Sequence, residues 1–198
     1  EKAKNEMEIL SLKEQINPHF LFNTLNNIYG QAIEDNSLQT AASILKLSEM
    51  LRYVVHDAQF PWVPIQKEMA YMENYIQLQR QRLGDSVKLM YDLKGSYSES
   101  LKIAPLILIP FIENAFKHGI NPDKKSLIKI VISMDRKTLN LLVENRKTNV
   151  NIPNHEKSGA GLKITLERLS MLYQNKHTLQ VDNLSDQYKV NLKLELHD

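Results

Sequence analysis

His19 and Asn23 form the first pair of residues whose types and spacing could do chemistry. Pro18 precedes His19, and Asn23 follows one helical turn later, so on a helix the imidazole and the amide share a face. An imidazole is deprotonated in a good fraction of molecules near pH 7, and it is then a competent nucleophile. The alternative interpretation is a polar residue at the margin of a helix bundle, which is common for a lone histidine.

Asn114, Lys117 and His118 form the second group. Their spacing of i, i+3 and i+4 makes them project together from one helix face. The amide oxygen suits a hydrated Mg²⁺, and the two nitrogen donors suit phosphate oxygens. The alternative is the solvated face of an amphipathic helix, although asparagine and histidine are unusual choices for such a face.

Gly159 and Gly161 stand at the start of a predicted helix that continues through Leu162. Glycines let backbone approach a phosphate closely, and a helix N-terminus offers free N–H groups. A polar loop over residues 146–158 precedes them and is typical of a mobile lid. A flexible hinge ahead of the helix is an equally good interpretation of the two glycines.

The elements that carry the first pair are two amphipathic helices. Apolar spacing predicts one helix up to about residue 33 with a kink at Pro18, and a second helix over 38–55. A short turn at Glu34–Ser37 would join them into a hairpin. Because such a hairpin cannot bury both apolar stripes alone, a self-paired four-helix bundle is the natural completion.

The rest of the chain predicts an α+β domain with a mixed sheet and its helices on one face. Phe60–Pro64 is a linker, since it breaks the helical pattern. Gly119 is the expected C-cap of the site helix. The predicted helices cover 65–83, 106–118 and 160–174, and the predicted strands cover 87–93, 127–134, 138–143, 178–181 and 188–196.

The composition excludes several classes of protein. The chain has 198 residues, a net charge of +2 and no cysteine. It therefore lacks the basic excess that nucleic-acid binding usually needs, and it has no thiol chemistry or disulfide framework. No stretch approaches the roughly 20 apolar residues of a membrane span. Because the sequence starts with Glu1 in mid-pattern, we expect a soluble piece of a longer protein, with room for a membrane anchor in the part ahead of it.

Three motifs, in order along the chain, resemble those of a known family. Leu12–Asn26, which contains NPHFLFN, looks like the histidine box of LytS-type sensor histidine kinases of bacterial two-component systems. Pro110–Gly119 (PFIENAFKHG) resembles the N box of their ATP-binding domain, which belongs to the gyrase, Hsp90, histidine kinase and MutL superfamily. Ser158–Leu162 (SGAGL) resembles its glycine box.

The resemblance implies roles for these residues. His19 would be the phosphoacceptor, and Asn23 would orient it. Asn114 would bind Mg²⁺, while Lys117 and His118 would contact the phosphates of ATP. The glycine box residues Gly159, Gly161 and Leu162 would flank the ATP lid.

Two departures from the family pattern bear on the chemistry. Phe20 stands where many histidine kinases carry an acidic general base, as in the LytS-type variant. Val143–Lys147 matches the segment whose aspartate accepts a hydrogen bond from adenine, and Asn145 takes the place of that aspartate. Its amide oxygen can accept one hydrogen bond, but without charge.

The resemblance thus implies a protein-histidine kinase, in the cytoplasmic portion of a longer bacterial inner-membrane protein. Residues 1–63 would be a dimerisation and phosphotransfer domain, and residues 64–198 an ATP-binding catalytic domain. ATP and Mg²⁺ would be required for autophosphorylation of His19, and a response regulator aspartate would receive the phosphoryl group. Two alternatives stay open: an ATPase that uses Glu113 as a base for water, and a catalytically weak dimeric scaffold.

Overall fold

The computed structural model describes residues 17–120, 126–147 and 160–198. The chain divides into two compact units, Glu1–His56 and Asp57–Asp198. Gly159 and most of the predicted lid lie outside the described residues. No helix of the described ranges is long and apolar enough to cross a membrane.

The first unit is a helical hairpin of α1 (Pro18–Glu34) and α2 (Leu38–Arg52), and a π-helical turn follows at Tyr53–Asp57. The two helices pack together, as the apolar spacing predicts. Asn36 turns the chain between them with a φ of 53°.

The prediction of one helix that continues through Pro18 is wrong, because Asn17 is extended and α1 begins at Pro18. Asn17 has an extended backbone, and its side chain accepts hydrogen bonds from the backbone N–H groups of His19 and Phe20. A residue before proline disfavours the helical region, whereas proline suits the first helical position because its missing N–H is not needed there. Asn17 and Pro18 therefore form the N-terminal cap of α1.

The second unit is α+β, as predicted. Its elements are β1 (Val63–Pro64), α3 (Ile65–Leu83), β2 (Val87–Gly95), β3 (Lys102–Ile103), α4 (Ile109–Gly119), β4 (Ser126–Asp135), β5 (Thr138–Arg146), α5 (Ala160–Leu172), β6 (His177–Asn183) and β7 (Gln187–Glu195). The main sheet has the order β2-β4-β5-β7-β6. It is mixed, because β2 runs parallel to β4 while the other pairs are antiparallel.

One face of this sheet carries the core. Ile128, Ile130 and Ile132 of β4 are fully buried, and their alternate neighbours are half-buried. The helix α4 packs against β4 and β5 on the buried face. On the other face, Glu144 lies opposite Lys129 on one side and Lys189 on the other. Such alternating charges suit a sheet face that meets water.

The site helix begins at Ile109, three residues later than predicted. Ahead of it, Leu106 has a φ of 57°, which no helix can accommodate. Glu68 of α3 is fully buried, and its Oε2 accepts a hydrogen bond from the Leu106 N–H at 3.0 Å. Arg168 of α5 donates to the Pro105 carbonyl at 2.7 Å. Because these partners come from distant parts of the chain, local apolar spacing cannot reveal the turn.

The two-stranded sheet of β1 and β3 was not predicted either. Val63 pairs with Ile103 and Pro64 with Lys102. Trp62, ahead of β1, packs edge-on against Tyr173 with 5.6 Å between ring centroids. The residues expected to form a free linker thus include a segment that packs into the second unit.

Candidate active site

A cavity of 430 Å³ opens where α4, α5 and the sheet meet in the second unit. Its lining combines amide, imidazole, ammonium and phenol groups with two aliphatic side chains. The lining residues are Asn114, His118, Lys147, Leu162, Val181, Asn183 and Tyr188. A mixed lining of this kind, with a few convergent polar groups, is typical of a small-molecule site.

The helix α4 supplies two of the polar groups. Its buried arc includes Phe111, Ile112 and Ala115, all with no exposed surface. Asn114 and His118 lie on the opposite arc, are half-buried and line the cavity one turn apart. The division of α4 into an apolar and a polar arc is confirmed.

Asn145 on β5 lies directly against the end of α4. It is 1% exposed, and its Nδ2 donates to the Arg146 carbonyl oxygen at 3.1 Å. Its Oδ1 is buried and has no hydrogen-bond partner among the described residues. A buried amide oxygen without a partner costs free energy, so it is a natural acceptor for a ligand.

The lack of a side chain at Gly119 allows the end of α4 to lie close to Asn145. A Cβ built on Gly119 would lie 2.8 Å from the Cβ of Asn145. Gly119 is the last residue of α4 and lacks the left-handed backbone of a glycine C-cap. The predicted capping role is therefore wrong, because the glycine is required by close packing against Asn145 instead.

Tyr188 brings a phenol from the sheet to the cavity that Asn114 also lines. It lies opposite Asn145 in the β5–β7 register. Burial raises the pKa of its hydroxyl, and hydrogen bonding with Asn114 opposes that rise. Tyr188 is therefore a neutral hydrogen-bonding group at neutral pH.

One ammonium and one titratable imidazole give the cavity its basic groups. The Lys147 ammonium donates to the Leu184 carbonyl oxygen, which holds it beside the turn before β7. Burial lowers the pKa of His118, and the positive charges of Lys117 and Lys147 lower it further. An anion bound here would meet one fixed ammonium and one imidazole that protonates more readily once the anion neutralises its neighbours.

The remaining predicted site residues of α4 face elsewhere. Glu113 and Lys117 are exposed and are not among the lining residues. Burial raises the pKa values of Tyr71 and Tyr75 of α3 to about 12, and the negative charge of Glu113 contributes to both rises. Partial burial also raises the pKa of Glu113 itself.

The glycine box is described only in part. Leu162 lines the cavity, and Gly161 is exposed in the first turn of α5. The Gly161 carbonyl accepts a hydrogen bond from the Thr165 hydroxyl at 2.9 Å. Thr165 is 2% exposed, while the neighbouring Leu166 is 39% exposed. The buried stripe of α5 thus includes a threonine whose hydroxyl is hydrogen-bonded to the backbone of its own helix. The spacing of apolar residues alone cannot predict this.

His19 and Asn23 lie in the first unit, on the exposed surface of α1. The Asn23 Nδ2 is 3.2 Å from Nδ1 and 3.5 Å from Nε2 of His19. The predicted juxtaposition of imidazole and amide is therefore present, and the imidazole is accessible to solvent.

The sequence reasoning missed four cavity residues: Lys147, Val181, Asn183 and Tyr188. Lys147 could have been predicted from the sequence, because it is the last residue of the Val143–Lys147 segment in which Asn145 was identified. Tyr188 required the register of β7 against β5, which depends on tertiary structure.

Comparison with known proteins gives the family. A family model described as histidine kinase matches residues 7–87. The chain is 35% identical to the sensor histidine kinase YpdA of Escherichia coli over 130 residues, 65% of this chain and 22% of YpdA. It is 27% identical to the sensor protein LytS of Staphylococcus haemolyticus over 194 residues, 92% of this chain and 33% of LytS.

A third relative is the sensor protein kinase HptS of Staphylococcus aureus, 33% identical over 145 residues, which are 72% of this chain and 27% of HptS. The chain thus spans about a third or less of each of these relatives. The motifs around His19 and Asn114, together with these matches, place the chain in the histidine kinase family, among the relatives of the LytS-type sensor histidine kinases.

Proposed function

We propose that the chain is the kinase core of a sensor histidine kinase, which phosphorylates His19 from ATP and passes the phosphoryl group to an aspartate of a response regulator. One observation carries the nucleotide site: the amide of Asn114 and the imidazole of His118 line one cavity with the Lys147 ammonium. An amide oxygen next to cationic donors is the arrangement that a metal-bound polyphosphate requires.

The residues of the cavity fit Mg²⁺ and a triphosphate. Asn114 would supply an oxygen ligand to Mg²⁺, which prefers a small number of protein oxygens and keeps several waters. Mg²⁺, when bound, would neutralise charge on the phosphates and hold them in line for transfer. His118 and Lys147 would donate to phosphate oxygens, and Lys117 and Gly161 would contact them from the rim. Gly159 would contact the phosphates together with Gly161.

Asn145 suits the adenine end of the nucleotide. Its Oδ1 is buried without a partner, whereas its Nδ2 is already engaged by Arg146. The amide oxygen is therefore the acceptor that the site offers, and it matches the exocyclic amino group of adenine. Being neutral, it would give a weaker hydrogen bond than a carboxylate.

His19 would act as the nucleophile. One ring nitrogen attacks the γ-phosphorus of ATP, a nitrogen–phosphorus bond forms, and the bond to the ADP oxygen breaks. Asn23, at hydrogen-bond distance from the ring, would fix its orientation so that the second nitrogen stays available. A later attack by a response regulator carboxylate would break the nitrogen–phosphorus bond and regenerate His19.

The proposed division of labour follows the sequence prediction. Residues 1–63 would form the dimerisation and phosphotransfer domain, and residues 64–198 the ATP-binding domain. The protein would work as a homodimer with a response regulator as its partner, in the cytoplasmic part of a longer, membrane-anchored kinase.

An ATPase that uses Glu113 is the less favoured alternative. Glu113 lies outside the cavity lining and beside two tyrosines of α3. The destination of the phosphate separates the two activities, because a kinase leaves an acid-labile phosphoryl group on the protein and an ATPase releases free phosphate.

The test is incubation of the chain with γ-labelled ATP and Mg²⁺. We expect acid-labile, alkali-stable label on the native protein and none on His19→Gln, while both bind ATP equally. Label that survives on His19→Gln, or free phosphate as the main product, would overturn the kinase proposal. A titration that shows no ATP binding by the native chain would favour the scaffold.

A further inference from the structure

An aromatic ring on α1 meets two basic side chains from the far end of the hairpin. The guanidinium carbon of Arg52 lies over the ring of Phe22, 5.7 Å from the ring centroid. The imidazole of His56 is stacked on the same ring, with 6.2 Å between centroids and 11° between planes. Phe22 is therefore a platform that fixes the place of Arg52, the last residue of α2, relative to α1.

This platform lies next to the proposed phosphoacceptor. His19 and Phe22 are three residues apart on α1, and side chains at that spacing are neighbours, with about 5–6 Å between their Cβ atoms. Because α1 begins at Pro18 and α2 ends at Arg52, His19 and Arg52 lie at the same end of the hairpin. Both side chains are exposed, so the imidazole and the guanidinium share one solvent-accessible surface.

The guanidinium of Arg52 suits a phosphoryl group at this place. A cation–π contact is electrostatic, so it leaves the N–H groups of the guanidinium available to oxygen acceptors. A phosphoryl group adds negative charge and three acceptor oxygens to the residue that carries it. The planar fork of arginine matches two such oxygens, and charge-assisted hydrogen bonds of this kind are stronger than neutral ones.

We propose that Arg52 is a phosphoryl-binding residue, whose guanidinium donates to the phosphoryl oxygens on His19 while Phe22 holds it in place. The inference rests on the proposed phosphorylation of His19 and adds a residue from outside the three family motifs. Arg52 then stabilises the phosphohistidine product and shifts the equilibrium away from ATP. In the reverse reaction an oxygen of the ADP β-phosphate attacks the phosphorus, the nitrogen–phosphorus bond breaks, and ATP re-forms as the imidazole leaves.

The test is the reversal of phosphorylation by ADP in the full chain. Labelling with γ-labelled ATP and Mg²⁺ is brought to its plateau, ADP is added at fixed ATP, and the ADP concentration that removes half of the label is measured. This midpoint reports the equilibrium constant and does not depend on how much of the protein is active. For Arg52→Gln we expect the midpoint to fall about tenfold, the effect of losing one charge-assisted hydrogen bond.

Lys46→Gln is the matched control. It removes the same charge from α2, six residues before Arg52 and nearly two turns further from that end of the hairpin. Its midpoint should equal that of the native chain. ATP affinity should be the same for all variants, and thermal unfolding checks the fold of each.

Two further variants separate the charge of Arg52 from its geometry. Phe22→Leu keeps an apolar side chain and removes the aromatic platform, so the midpoint should lie between those of the native chain and Arg52→Gln. Arg52→Lys keeps the charge and loses the planar fork, and it should also give an intermediate midpoint. It replaces Arg52→Gln if that variant does not fold.

The outcomes distinguish this inference from the proposed function. A native chain that takes up no acid-labile label overturns the phosphorylation of His19 itself. If the native chain is labelled and Arg52→Gln keeps the native midpoint, only the role of Arg52 is overturned. Slower labelling at an unchanged midpoint also overturns it, because Arg52 would then act on the approach of ATP and not on the product. An equal fall for Lys46→Gln overturns it as well, since any positive charge on α2 would suffice.

Discussion

His118 shows how a single residue acquires its chemistry from its surroundings. Burial and the charges of Lys117 and Lys147 lower its pKa, so the folded protein holds the neutral imidazole at neutral pH. A neutral imidazole has one N–H and offers a phosphate one donor, whereas the protonated ring offers two and a charge. The strength of this contact therefore depends on pH.

The sign of that dependence is fixed by linkage. A bound phosphate favours the protonated ring and raises the pKa of His118 above its free value, so binding takes up a proton. We expect ATP affinity to increase as pH falls from about 8 to about 6, across the range in which histidine titrates. The measurement is ATP titration of native and His118→Gln proteins across this range. Protonation of ATP itself affects both proteins equally, so an identical slope for the two would contradict the assignment.

Asn114 supports a sharper prediction at the same scale. Asn114→Ala removes the expected oxygen ligand and should weaken Mg·ATP binding at least tenfold while stopping label transfer to His19. Because Asn114 is half-buried on the polar arc, the free energy of unfolding should fall by no more than about 1.5 kcal/mol, the upper value of one ordinary hydrogen bond. Urea unfolding measures this. A variant that unfolds would show that Asn114 is a structural residue.

At the scale of elements, the position of α4 against β5 determines whether the site residues meet. The contact depends on Gly119, since any side chain there would collide with Asn145. The N-terminal end of α4 is fixed separately, by the buried Glu68 carboxylate at the Leu106 turn. Both ends of α4 are therefore held by tertiary contacts, which fix the positions of Asn114 and His118 relative to the sheet.

Gly119→Ala tests this contact. An added Cβ would lie 2.8 Å from the Cβ of Asn145, and both residues are buried. We expect destabilisation of about 1–3 kcal/mol, as for other overpacked sites, together with weaker ATP binding because α4 must move. Gly161→Ala is the control for stability, since a Cβ there meets no atom within 4 Å and alanine is the better helix former. Equal stability of Gly119→Ala and native protein would contradict the packing argument.

Local pattern predicted most of these elements because their apolar periodicity is strong. The strands of the β4–β5 hairpin alternate throughout, and α3 ends at Gly84 as expected. The failures share one cause. The start of α1 depends on the cap at Asn17, and the start of α4 depends on Glu68. The place of Tyr188 in the cavity depends on the register of β7 against β5. None of these contacts has a periodic signal in the sequence.

The candidate site was predictable to a similar extent. Helical spacing brings Asn114 to His118 and His19 to Asn23, since one turn suffices to place them. The same spacing groups Lys117 with Asn114, yet Lys117 lies outside the cavity lining. At about 100° per residue, Lys117 and His118 fall on opposite sides of Asn114, and only the His118 side faces the cavity. Short-range geometry predicts neighbours, and only the fold decides which of them face a cavity.

At the scale of the whole molecule, the apolar surface of the first unit requires a partner. Seven large apolar residues of the hairpin are at least 40% exposed: Phe20, Ile28, Ile33, Leu38, Leu45, Leu47 and Val54. A soluble monomer rarely leaves this many on one small element. Two further helices would complete a bundle, and a second copy of the same hairpin is the simplest source.

We therefore expect the chain to form a homodimer through the hairpin. Leu45 is 51% exposed on the hairpin. Leu45→Glu would place a charge in the expected interface and should shift the protein to monomers at micromolar concentration. Met171→Glu is the matched control, because Met171 is 79% exposed but lies on α5 of the second unit. Sedimentation velocity measures all three proteins. A native monomer at tens of micromolar, or a Leu45→Glu variant that stays dimeric, would contradict this interface. A dimer that both Leu45→Glu and Met171→Glu dissociate would instead assign part of the contact to α5, since a charge disrupts only the surface that the second copy covers.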